Sequence, residues 1–271
     1  MSRAPYLWST AAIITLLLCV PSCSHRVEQP PATPPLEQNE QSVGALLWFQ
    51  TAAEAKALYY QAYQLAQLRL TEQLLQKHPS PPAVVVDIDE TLLDNSPHQA
   101  KLILTHQLFP AFWDEWIDRA EALPLPGAVE FLRFADSCGV AIFYVSNRDA
   151  KTLEPTMTNL ARYGFPQILP ERFLLRSTES SKVDRRRHIE DRYTIVLLVG
   201  DNLNDFSGLF ERQSVSDRSA TVDQLRNEFG KSYIIIPNPY YGDWENAVFG
   251  YRRGLSAEEK NRLRVEALRA F

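Results

Sequence analysis

Four short apolar runs without polar alternation punctuate a chain whose other apolar positions recur at helical spacing. The runs are Ala83–Ile88, Val140–Val145, Thr194–Val199 and Tyr233–Ile236. They are β-branched or aromatic, and the lack of alternation predicts strands buried on both faces of a parallel sheet. Before the first run, Leu46, Leu47, Phe49, Leu58, Tyr59, Ala62, Leu65, Ala66 and Leu70 keep helical spacing among Ala, Gln and Glu. This predicts a helical region over Val43–Lys77, stopped by His78-Pro79-Ser80-Pro81-Pro82. Ser96-Pro97 opens a second helical stretch reaching about Ala122, with Phe109, Phe112, Trp113 and Trp116 in it. Pro124-Leu125-Pro126-Gly127 breaks that stretch, and Ala128–Ser137 reads as another helix. Thr152–Tyr163 and Val222–Phe229 supply helices before the later strands. Strand and helix in alternation predict an α/β fold with a doubly wound parallel sheet.

The first 40 residues follow neither pattern. Arg3 precedes an apolar stretch from Ala11 to Val20, too short for a bilayer span of about 20 residues but suited to an export signal. Val20-Pro21-Ser22-Cys23 resembles a bacterial lipobox, with Cys23 as the lipidated residue, although Pro21 is unusual within one. Cleavage nearby without lipidation is the alternative. Pro30, Pro31, Pro34 and Pro35 then make 23–40 a semi-rigid tether. The expected organisation is a signal over 1–22, the tether over 23–40 and a folded domain over 41–271. With Cys19 removed and Cys23 acylated, Cys138 is left without a disulfide partner. The net charge of −5 and scattered basic residues argue against nucleic-acid binding. The densest basic cluster, Arg185-Arg186-Arg187, reads as a solvated helix face.

In doubly wound sheets, ligands bind beyond the carboxyl ends of the strands. Here those ends read Asp87-Ile88-Asp89, Ser146-Asn147-Arg148, Gly200-Asp201-Asn202-Leu203-Asn204-Asp205 and Pro237-Asn238-Pro239-Tyr240-Tyr241. Side chains at i and i+2 of a strand share a face, so Asp87 and Asp89 leave the sheet together. Two sheltered carboxylates so close are stabilised by a cation, or one of them keeps a proton. An EF-hand fails because position six is Leu92 and position twelve is His98. The five histidines, His25, His78, His98, His106 and His188, show no ligand spacing, which disfavours zinc and triad mechanisms.

Asp87-x-Asp89-x-Thr91, Ser146 after an apolar strand, Lys182 and Gly200-Asp201-x-x-x-Asp205 resemble, in order, the four motifs of haloacid dehalogenase superfamily phosphatases. Asp89-Glu90-Thr91-Leu92-Leu93-Asp94-Asn95-Ser96, Phe143-Tyr144-Val145-Ser146-Asn147-Arg148 and Tyr241-Gly242-Asp243-Trp244-Glu245 are similar to the class C acid phosphatases, bacterial outer-membrane lipoproteins. The resemblance implies a small helical cap, built here from the N-terminal helix and 96–122. It makes Asp87 the nucleophile and Asp89 the general acid and base. Mg²⁺ would be held by Asp87, Asp201 and the backbone carbonyl of Asp89. Ser146, Asn147 and Lys182 would bind phosphate, supported by Thr91 and Asp205. Asp205, one turn past Asp201, suits orienting Lys182 or metal-bound water better than direct ligation.

Such residue types suit the chemistry on independent grounds. Phosphate-monoester hydrolysis is very slow in water, so a catalyst must present a nucleophile while neutralising phosphoryl oxygens. Within the superfamily, the acid at Asp89 points to phosphomonoester hydrolysis, since dehalogenases lack it. A non-catalytic, membrane-tethered lipoprotein that binds metal and phosphate is the alternative, although binding alone has no need of a proton donor. Trp113 and Tyr241 align with positions where the family stacks a nucleobase or nicotinamide ring. Packing of the cap against the core is the alternative role for both. The expected substrates are nucleoside monophosphates, nicotinamide mononucleotide included, at an outer-membrane location. The oligomeric state is not readable.

Overall fold

The computed structural model describes Met1 and residues 42–271. The expected signal, Cys23 and the tether otherwise lie outside the described residues. Helices α1 (Val43–Thr51) and α2 (Ala53–Leu74) divide the region expected as one helix. Ala52 between them is extended, with ψ 124°. Alanine favours helix, so tertiary packing overrides propensity here. The break lets α1 pack on α3 (Ser96–Leu104) while α2 lies against the sheet. Ala55, Tyr59, Tyr63, Ala66 and Leu70 form the buried stripe of α2 at the spacing of one helical face.

Five parallel strands form the sheet in the order β5-β4-β1-β6-β7: β1 Pro82–Val86, β4 Ala141–Asp149, β5 Phe173–Arg176, β6 Thr194–Gly200 and β7 Tyr233–Ile235. Val84 and Val86 face one layer, with α2, α5 (Ala128–Ser137) and α6 (Leu153–Arg162), while Ala83 and Val85 face Ile189 of α7 (Val183–Glu190). Burial on both faces explains the unbroken apolar runs. β5 was not expected. Phe173-Leu174-Leu175 is a short edge strand set between Arg172 and Arg176, where no long apolar run announces it.

The 96–122 segment is not one helix. α3 ends at Leu104 and α4 covers only Trp113–Arg119. Phe112 and Ala120, bracketing α4, both take positive φ, which stops helix propagation at each end. A two-strand antiparallel ribbon, β2 (Leu93–Asp94) with β3 (Leu123–Pro124), closes the insertion at its base. Lys101 of α3 reaches Glu115 of α4 at 3.1 Å across the cap. The helix expected over 222–229 runs instead as α8, Val215–Gln224. Its start is set by the Ser214 hydroxyl, which accepts from Asp217 N–H at 3.1 Å. Helices α9 (Asp243–Val248) and α10 (Ala257–Glu266) follow β7. No helix among the described residues is long and apolar enough to cross a membrane.

Candidate active site

The chain leaves β1 in register, with Asp87 N–H donating to Val199 of β6 at 3.0 Å. It then turns back tightly: the N–H groups of Leu92 and Leu93 both donate to Ile88 C=O, at 2.8 and 2.9 Å. Glu90 occupies the left-handed region within this turn, φ 55°. β6 ends at Gly200, where a Cβ would sit 2.4 Å from Asp205 Oδ2. Only glycine lets the following turn fold so closely onto the strand end. Asn202 and Asp205 cap that turn reciprocally.

These turns bring together carboxylate oxygens of Asp87, Asp201 and Asp205 within 4.8 Å of one another. Lys182, only 5% exposed, lies between two of them, in contact with Asp87 Oδ1 and 2.6 Å from Asp205 Oδ1. Asp205 Oδ2 also accepts from Asn202 N–H at 3.0 Å, so Asp205 is held against both Lys182 and the turn after β6. Asp201 is held by Asn238 Nδ2 at 2.8 Å, and the Thr91 hydroxyl stands 3.4 Å from both Asp87 and Asp201. Burial pushes the Asp87 carboxyl up, and Asp205 and Asp89 add to the rise against the pull of Lys182. Asp201 is raised by burial and then by Asp205 and Asp87. Burial alone would lower Lys182, but Asp205 and Asp87 reverse this and raise it. One ammonium facing three carboxylates leaves negative charge uncompensated, and hard oxygen donors of this kind fit a hard divalent cation. The Asp87, Asp201 and Asp205 carboxylates are grouped closely enough to hold one.

The Asp89 carboxylate faces another way. Its Oδ1 accepts from Arg148 Nε at 2.9 Å, Arg148 Nη2 at 2.8 Å and Asn95 Nδ2 at 2.8 Å. Among the described residues its Oδ2 accepts from the Ser146 hydroxyl alone, at 3.3 Å. That hydroxyl accepts from Arg148 N–H at 3.1 Å, which leaves its own hydrogen to donate. Arg148 is 2% exposed and is braced by Thr156 Oγ1 at 3.1 Å. Neither Arg148 nor Asn95 received a role from the sequence. The signal for Arg148 was present, since Ser146 and Arg148 share one face of β4 at i and i+2.

Trp113 and Tyr241 both border this centre. The Arg148 guanidinium carbon lies 5.8 Å from the Trp113 ring centroid, and the ring also contacts His98 and Phe109. Three residues on, Trp116 Nε1 donates to Asn95 Oδ1 at 2.8 Å, so each tryptophan of α4 reaches a different partner of Asp89. Tyr241 is 38% exposed but directs its hydroxyl to Glu90 Oε2. Glu90, fully buried, also takes Tyr240 OH at 2.5 Å and Asn95 N–H at 2.8 Å. Burial, followed by Asp89, pushes its carboxyl up to about 8, against the opposing effect of these donors.

The arginine triplet of α7 is not a solvated face. Arg187 is exposed and pairs with Asp184, but Arg186 is buried and donates to the carbonyls of Asn204 and Asp205 at 3.1 and 2.8 Å. Arg185 donates to Ser146 O at 2.6 Å and Asn147 Oδ1 at 2.6 Å. Helix spacing predicts only that these residues fan around the axis, and here two of three directions meet active-site loops.

A sequence profile described as HAD superfamily, subfamily IIIB (acid phosphatase), matches residues 9–244. The chain belongs to this family. Its fold agrees: the class C acid phosphatase from Bacillus anthracis superposes with a TM-score of 0.85 at 45% identity, covering 87% of this chain and 100% of that one. The same values hold for its structure with tungstate bound. Among more distant relatives, the stem 28 kDa glycoprotein of Glycine max is 26% identical over 169 residues, 59% of this chain and 63% of that protein.

Proposed function

We propose that this HAD acid phosphatase is a metal-dependent phosphomonoesterase that works through an aspartyl-phosphate on Asp87. The observation that carries the reading is the division of labour between two neighbouring aspartates. Asp87 sits with Asp201 and Lys182, while Asp89 is turned to Arg148, Asn95 and Ser146. A divalent cation bound by Asp87 and Asp201, the expected Mg²⁺, would keep both ionised and screen the anionic nucleophile from the anionic substrate.

The protein's own groups supply the remaining steps. Ser146 and Asn147 of β4 are the proposed donors to phosphate, with the Lys182 charge next to Asp87. Asp87 attacks phosphorus as the ester oxygen departs and takes a proton from Asp89. Donors occupy Oδ1 of Asp89, so its proton is carried on Oδ2. Asp89 Oδ2 then removes a proton from water as that water displaces Asp87 from phosphorus, releasing phosphate and restoring the carboxylate. The tungstate held by the Bacillus anthracis relative supports an oxyanion site on this fold.

Nucleoside monophosphates, including nicotinamide mononucleotide, are the proposed substrates, with Trp113 and Tyr241 flanking the planar ring. Stacking on an aromatic face contributes about 1–3 kcal/mol, enough for tenfold preference or more over a sugar phosphate. The chain is further proposed to be anchored to the outer membrane through Cys23, on the strength of the residues around Cys23 and the prolines that follow. The deciding assay is phosphate release from nicotinamide mononucleotide, AMP and glycerol phosphate with and without EDTA, in wild type and Asp87→Asn. Metal-independent turnover, or near-normal turnover by Asp87→Asn, would refute the mechanism.

A further inference from the structure

We infer that Arg185 is a positioning residue that holds the Ser146–Asn147 segment of β4 in its working conformation. The inference rests on the phosphate-binding role proposed for that segment.

The contacts of Arg185 are unusual for a residue on an outer helix. Nη1 donates to Ser146 O at 2.6 Å and to Leu174 O at 3.2 Å, joining the adjacent strands β4 and β5 at their carboxyl ends. Nη2 donates to Asn147 Oδ1 at 2.6 Å and also reaches Ser180 O and Ser181 O, each at 3.1 Å. Ser180 and Ser181 immediately precede Lys182. One guanidinium thus ties the β4 segment carrying Ser146 and Asn147 to the loop that delivers Lys182. These acceptors take up the hydrogens of both terminal nitrogens, so Arg185 has little left for a substrate anion and acts through its neighbours.

The contact with Asn147 has a chemical consequence. Guanidinium is donor-only, so the amide oxygen of Asn147 must face it. The amide nitrogen, a donor, then becomes the group available to a phosphate oxygen. Without Arg185 the exposed amide can rotate and present its oxygen, which repels an anion. A lysine at this position keeps the charge but not the planar fork that serves several carbonyls at once.

The experiment compares Arg185→Ala, Arg185→Lys, Asn147→Ala and the Arg185→Ala/Asn147→Ala double variant. The readouts are KM and kcat for p-nitrophenyl phosphate, Ki for inorganic phosphate, and Tm. Both Arg185 variants are expected to raise Ki and KM together by about tenfold, or about 1.4 kcal/mol, with a smaller change in kcat. The double variant should lose less than the product of the two single losses, because part of the effect of Arg185 passes through Asn147. A wild-type Ki in Arg185→Lys, a fall in Tm without a change in Ki, or fully multiplicative losses would overturn the inference. Failure of the proposed function shows differently, as a wild-type protein that neither hydrolyses the ester nor is inhibited by phosphate.

Discussion

Replacing Glu90 by glutamine should flatten the dependence of stability on pH. Glu90 is fully buried, and its carboxyl is pushed from an ordinary 4.5 up to about 8, chiefly by burial. The folded protein therefore holds this proton more tightly than the unfolded chain. The associated stability is fully present below about pH 4.5 and is lost as pH rises toward 8. Each tenfold difference in proton affinity corresponds to about 1.4 kcal/mol, so the upper bound across that window is about 4–5 kcal/mol. A partial effect of about 3 kcal/mol would move Tm by roughly 6–12 °C in a domain of this size. Asp87 and Asp201 are raised too, and they add to the slope in metal-free protein. The comparison is therefore made with saturating Mg²⁺, which on the proposed mechanism would hold those two ionised. Thermal unfolding of wild type and Glu90→Gln from pH 5 to pH 9 should give curves that diverge, the variant being the flatter. Parallel curves would refute the assignment of a buried, proton-retaining Glu90.

Asp89→Asn should lower kcat by about 10²–10⁴-fold while Ki for phosphate changes little, because it removes the proton carrier and leaves the phosphate donors in place; a matching loss in Ki would contradict that role. Arg148→Gln should destabilise the fold by about 3 kcal/mol or more, since it leaves a largely buried Asp89 carboxylate without its charged partner, and chemical denaturation measures this. Trp113→Ala and Tyr241→Ala should each lower kcat/KM for AMP and nicotinamide mononucleotide by about tenfold more than for glycerol phosphate; equal losses on all three would assign the rings to packing. Cys23→Ala should leave an unprocessed, unacylated precursor, detected by mobility and fatty-acid labelling, and unchanged processing would exclude lipidation.

Much of this fold could be read from the chain because burial on both sides of a parallel sheet forces an apolar residue at every strand position. Val84, Val85 and Val86 are all buried, and four of the five sheet strands show themselves as such runs. The fifth, β5, offers just Phe173-Leu174-Leu175 between two arginines, too short a run to stand out. The motif carboxylates were legible for a related reason: strand periodicity alone sends Asp87 and Asp89 off the same end of β1. Periodicity could not say that their side chains then part, Asp87 toward Lys182 and Asp89 toward Arg148. That choice depends on cations at the start of α7 and in β4, far away in sequence. The break at Ala52 was likewise settled by packing, since alanine favours a continued helix. Arg185 and Arg186 make the same point most sharply. An arginine on a helix reads as solvated until the carbonyls of neighbouring loops are known, because backbone acceptors leave no trace in the identity of the residues that carry them.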